Sequence, residues 1–182
     1  MGTSPKWSFL SPGLLMNTPT LTHNMLLWKL KIPLKIKIFL WYLGRGVILT
    51  KENLAKRGWT GSMKCCFCNQ NETIQHIFFD CYLIRNIWRI IYFAFNIERP
   101  ININHIIENW ATNKGIAHRK KLLIGVAAMF WSIWLCRNDA AFNFKPIPSI
   151  LQVLFRGCIG SDSGDYCRNK KLTKRFLWYV NP

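Results

Sequence analysis

The sequence predicts a mostly α fold, in two helical segments joined near Pro100. Three observations predict it. Apolar residues recur at helical spacing, as Ile84, Ile87, Trp88 and Ile91, and again as Ile103, Ile106, Ile107 and Trp110. Thr, Gly and Pro sit where helices start and stop. The one strand-like alternation, Leu30 to Ile38, is interrupted by Pro33, a residue better suited to opening a helix than to pairing in a sheet. Half of the 182 residues are hydrophobic and 14% are aromatic, enough to bury a core.

Residues 1–25, rich in Ser, Thr, Pro and Asn, read as a poorly ordered lead-in. A first helix is expected from Pro33 through Trp41, stopping around Gly44 and Gly46. Thr50 offers an N-cap for a short helix from Lys51 to Arg57, closed by Gly58. Thr73 offers a second N-cap, placing His76 in the first turn of a helix that runs to about Phe95. The second segment, 101–160, holds a short helix around Ile106, a long one from His118 to Phe144, and another starting at Ile150. Phe130, Trp131 and Trp134 fall at core positions of the long helix. Residues 161–182 form a basic polar tail without period.

Between the second and third helices lies Cys65-x2-Cys68-x7-His76-x4-Cys81. Two thiolates two residues apart can grip one ion from a tight turn, and a later His and Cys can complete a tetrahedron. Zinc favours four-coordinate sites of Cys sulfur and His nitrogen, and four protein ligands leave no position for a reactive water. The expectation is one structural Zn²⁺ in a small zinc-stabilised helical domain over 26–97. Three thiolates and a neutral imidazole leave that centre with a net charge of about −1. Cys66 is an alternative to Cys65, although Cys-x2-Cys is the commoner metal turn. Cys81 lies five residues after His76, more than one α-helical turn, so the two converge only on an irregular turn. A catalytic Cys81–His76 pair would need a free thiolate, which four-fold coordination removes. Cys136, Cys158 and Cys167, and His23, His105 and His118, have no ligand cluster around them.

Lys and Arg number 25 against 8 Asp and Glu, a formal charge of +17. Such an imbalance favours a polyanionic partner. The candidates for phosphate contact are Lys35, Lys37, Lys56, Arg57, Lys64, Arg85 and Arg89, with Trp41, Trp59 and Phe67 as aromatics that could stack on bases. The longest apolar run, Leu122 to Cys136, is shorter than the roughly 20 residues of a membrane span, so no membrane is expected. The odd count of seven Cys and the lack of a signal-peptide pattern suggest a reducing, intracellular setting, nuclear or cytoplasmic.

Several stretches resemble the zinc-binding domain of plant non-LTR retrotransposon reverse transcriptases. They are Leu27-Trp28-Lys29-Leu30-Lys31-Ile32-Pro33-Leu34-Lys35-Ile36-Lys37-Ile38-Phe39-Leu40-Trp41, then Thr50 to Arg57 with Asn53-Leu54 inside it. After these come Cys65 and Cys68, Glu72-Thr73, His76-Ile77-Phe78-Phe79-Asp80-Cys81, and Trp88. Trp131 to Phe142, containing Ile133-Trp134 and Arg137-Asn138, is similar to an element that follows that domain in such polyproteins. The resemblance implies a piece of a retroelement without either catalytic domain. The sequence has no Asp-Asp pair of the kind a polymerase uses to hold two metals. Only Asp139, Asp162 and Asp165 lie in the C-terminal part, where an RNase H needs four carboxylates. The expected function is a stand-alone, non-catalytic, zinc- and nucleic-acid-binding module. A zinc-stabilised scaffold for other protein chains, or a relic with no selected function, stays open at this level.

Overall fold

The computed structural model describes residues 27–103, 105–106, 116–147 and 149–159. The sequence readings over the lead-in, the helix around Trp110 and the basic tail fall wholly or largely outside these residues. Among the described residues, the main regular elements are α1 Leu34–Gly44, α2 Lys51–Ala55, the π-helical turn His76–Asp80, α3 Tyr82–Phe95, α4 Ile116–Phe142 and α5 Ile150–Ile159. Among the described residues, strand pairing is confined to a single bridge between Lys64 and Asn71.

Helix boundaries follow local chemistry with small shifts from the expected ones. Pro33 caps α1 rather than joining it: its ψ of 144° is extended, and its carbonyl accepts from the Ile36 and Lys37 amides. Gly46 then takes a φ of +71°, a left-handed turn that favours glycine, and Gly58 does the same after α2 at +87°. Asn53 locks the intervening loop, its side-chain amide donating to the carbonyls of Gly46 and Ile48 at 2.7 and 2.8 Å. α2 ends at Ala55, two residues before the expected Arg57. Asn96 closes α3 in the left-handed region, with a φ of 51°. α4 begins at Ile116 and ends at Phe142, so Phe144, expected inside it, lies beyond.

One apolar core runs through both segments. It takes Phe39 and Leu43 from α1, Ile77, Phe78 and Phe79 from the π turn, and Ile84, Ile87, Trp88 and Ile91 from α3. α4 adds Val126, Met129, Phe130 and Ile133, and α5 adds Val153. Phe130 is its aromatic centre, meeting Phe78, Phe79 and Trp88 edge-on at 5.2, 5.7 and 6.2 Å. Burying each such side chain contributes roughly 1.5–3 kcal/mol. Trp131 and Trp134 lie half-buried against Phe39, at 5.3 and 5.9 Å. Two polar ties fasten α5 to α4: Ser132 donates to the Val153 carbonyl at 2.6 Å, and Arg156 pairs with Asp139 at 2.5 Å.

Candidate metal centre

The first two ligands come from a short turn closed by backbone bonds. The Cys65 amide donates to the Gln70 carbonyl at 2.8 Å, and the Glu72 amide to Met63 at 2.9 Å. Within this loop the Phe67 amide points at the Cys65 sulfur, 3.3 Å away. Thr73 starts the next element as expected, its hydroxyl accepting the His76 amide at 3.0 Å. The five residues that follow wind as a π turn, in which the Cys81 amide donates to the His76 carbonyl at 2.7 Å. A π turn closes its bonds from i to i+5 and is frequent at functional sites. It brings His76 and Cys81 together despite a spacing too long for one α turn. The Trp88 indole nitrogen, in turn, donates to the Phe78 carbonyl within the π turn at 3.0 Å.

The ligand atoms of Cys65, Cys68, His76 and Cys81 all lie within 4.8 Å of one another. Cys68 Sγ stands 3.2 Å from His76 Nε2 and 3.9 Å from Cys81 Sγ. Tetrahedral zinc, with Zn–S near 2.3 Å and Zn–N near 2.0–2.1 Å, separates its ligand atoms by roughly 3.5–3.8 Å. The donor set and its spacing therefore fit one structural zinc ion. Among the described residues this is the one group of His, Cys, Asp and Glu side chains gathered closely enough to hold a metal. Cys66, the alternative ligand, stays outside the four and directs its thiol toward the Arg137 carbonyl at 3.9 Å.

The thiols share charge unequally. Hydrogen bonds from Cys66 and then Cys81, with the Phe67 amide, hold Cys65 far below the usual thiol range. The same bonds to Cys65, followed by burial, push Cys66 and Cys81 up.

Glu72, one residue before the Thr73 cap, has a role set by the three-dimensional structure. Its Oε1 accepts the Lys51 amide at 2.9 Å, and so caps α2. Thr50, the expected cap, makes no capping bond through its hydroxyl. The same oxygen receives Arg137 from α4, Nε at 3.0 Å and Nη2 at 2.5 Å. Arg137 also lies over the rings of Trp134 and Phe142, 5.0 Å from each centroid.

The basic candidates do not form one cluster of contacts. Lys37 donates to the Trp28 carbonyl at 3.0 Å, and Lys56 pairs with Glu52 at 2.9 Å. The Lys64 carbonyl accepts from Lys51, while Lys35 and Arg57 are exposed. Arg85 and Arg89 share the outer side of α3. Trp41 carries the Arg45 guanidinium 4.2 Å from its ring centroid, Phe67 packs on the core, and Trp59 is exposed.

A four-ligand Cys3His centre set between a tight loop and a π turn defines a zinc-stabilised helical domain. Residues 6–88 match the family described as zinc-binding in reverse transcriptase, and the Cys3His centre lies inside that match. The match starts within the segment that composition marks as a lead-in. A curated protein of Arabidopsis thaliana, named as a ribonuclease H protein, is 33% identical over 63 residues, which is 34% of this chain. The chain spans about 10% of that relative's length. No solved structure matches the chain significantly. The family's description is of metal binding rather than of a reaction. Among the described residues, no helix is long and apolar enough to cross a membrane.

Proposed function

We propose that this chain acts as a non-catalytic nucleic-acid-binding module whose fold is held by zinc. The observation that carries the reading is a closed, wholly protein-ligated Cys3His site in a chain of formal charge +17. With every metal position filled by the protein, the ion stabilises structure and activates no water. Phosphate contacts would come from among Lys35, Lys37, Lys56, Arg57, Lys64, Arg85 and Arg89, giving capture with little sequence preference. The ribonuclease H name belongs to a relative of which this chain matches a small part, and no hydrolytic role is carried over from it.

Filter binding of the zinc-loaded protein to labelled RNA and DNA across a salt series tests this. Affinity should fall steeply and log-linearly with salt. Lack of retention of either nucleic acid at low salt overturns the reading.

A scaffold for another protein chain is the second reading. Leu34, Ile38 and Tyr42, four residues apart on α1, are exposed and form an apolar stripe of the kind that docks a helix. Leu34→Lys with Ile38→Lys would abolish such docking and leave nucleic-acid retention in place.

A further inference from the structure

α3 buries one side in the core and shows aromatic side chains to solvent on the other. Ile84, Ile87, Trp88 and Ile91 are buried in the core. On the opposite side, Tyr82, Tyr92 and Phe93 are 71%, 44% and 64% exposed. Arg85 and Arg89, both exposed, lie on that same side. The spacing Tyr82, Arg85, Arg89, Phe93 is three, four and four residues, which lines these positions along one helix face. At 1.5 Å per residue the stripe is about 16 Å long.

We infer that this face of α3 is a stacking platform for single-stranded nucleic acid, an inference that rests on the nucleic-acid reading above and gives it a location. Unpaired bases stack on aromatic side chains and on guanidinium planes, while phosphates are held by cations. The face offers both kinds of contact alternately. α3 has no Asp or Glu, and Asp80 at its start is paired with Arg99 at 2.9 Å. Arg85 donates through Nε to the Asp80 carbonyl at 2.9 Å, and Arg89 contacts Asn86 at 3.4 Å. Neither arginine is in an ion pair among the described residues, so their charge is open to a phosphate. The contrast with α1 decides between partners. The outward apolar stripe of α1 includes the aliphatics Leu34 and Ile38, which suit a protein groove. Among the described residues, the exposed large apolar side chains of α3 are the aromatics Tyr82, Tyr92 and Phe93, and stacking needs flat rings.

The platform is also pre-ordered. The helix follows directly from the metal ligand Cys81, and its inner side is fixed by buried Trp88. A rigid face forfeits less entropy when a flexible strand binds.

Fluorescence anisotropy of the zinc-loaded full chain, with a labelled 20-nucleotide oligo-U and a labelled 20-base-pair duplex, tests the assignment. Wild type should prefer the single strand. Phe93→Ala, twelve positions from the nearest metal ligand, should weaken oligo-U binding about tenfold and leave duplex binding and zinc content unchanged. Arg85→Gln with Arg89→Gln should weaken both and flatten the salt dependence. If wild type binds and these variants match it, while Lys35→Gln with Lys56→Gln and Lys64→Gln loses affinity, nucleic-acid binding stands and its placement on α3 is overturned. A dimer in sedimentation that Phe93→Ala disperses would instead assign the face to a second copy of this chain. Absence of binding by wild type to either probe removes both readings together.

Discussion

Arg137 on α4 and Glu72 beside the metal loop, 65 positions apart, form a fully buried ion pair in which two guanidinium nitrogens share one carboxylate oxygen. That oxygen also caps α2 through the Lys51 amide. The pair therefore joins the metal loop, α2 and the second helical segment at a single atom. Removing charges from water is costly, and the cost is recovered only where hydrogen bonds are well made. The Lys51 amide, Asn138 (3.0 Å from Arg137 Nη1) and the two rings around the guanidinium supply part of that surrounding, while Glu72 Oε2 is buried without a hydrogen-bond partner.

Truncating either partner should be severe. Arg137→Met leaves a buried carboxylate and should cost about 3–5 kcal/mol in urea unfolding of the zinc-loaded protein. Glu72→Gln with Arg137→Met should recover part of that loss in a double-mutant cycle. Additive effects of the two changes would show that the pair does not act as a unit.

Metal removal should unfold the first segment. Binding energies of structural zinc are about 10–16 kcal/mol in small peptides and couple directly to folding. Cys68→Ser should lose the single zinc measured by elemental analysis and should lose helicity in circular dichroism. Cys66→Ser should keep both, because its sulfur stands outside the four converging ligand atoms. A metal-free wild type of undiminished helicity would contradict the assignment.

Trp88→Phe keeps the ring in the core but deletes the donor to the Phe78 carbonyl. A buried carbonyl left without its partner costs about 1–3 kcal/mol. The lost bond lies within the π turn that sets His76 against Cys81, so zinc affinity measured by competition with a chelator should fall alongside stability. Unchanged affinity would place the indole bond in packing alone.

Asp139 gives a pH dependence of defined sign. Hydrogen bonds from Arg156, then Asn143, hold its carboxyl down to about 2. A depressed folded value means stability that is present above the unfolded value near 3.8 and lost as the pH falls toward about 2. The stability gap between wild type and Asp139→Asn should be full at neutral pH and should close across that window. A gap constant from pH 5 to pH 2 would exclude Asp139 as its source.

The sequence by itself determined the helices and the metal ligands. Period, caps and glycines marked α1, α3, α4 and α5 to within a few residues, because those signals act over one or two turns. The ligand spacing named Cys65, Cys68, His76 and Cys81, because metal chemistry restricts donors to few residue types. The tertiary structure decided what is non-local. The convergence of His76 with Cys81 needed a π turn, an irregularity with no composition signature of its own. The cap of α2 proved to be Glu72 rather than Thr50, because a carboxylate fixed by Arg137 from α4 occupies the place that a local hydroxyl would otherwise fill. Arg137 lies inside the long helix the sequence predicts, but nothing in a chain's order reveals a partner 65 positions away until packing brings the two into the same buried volume.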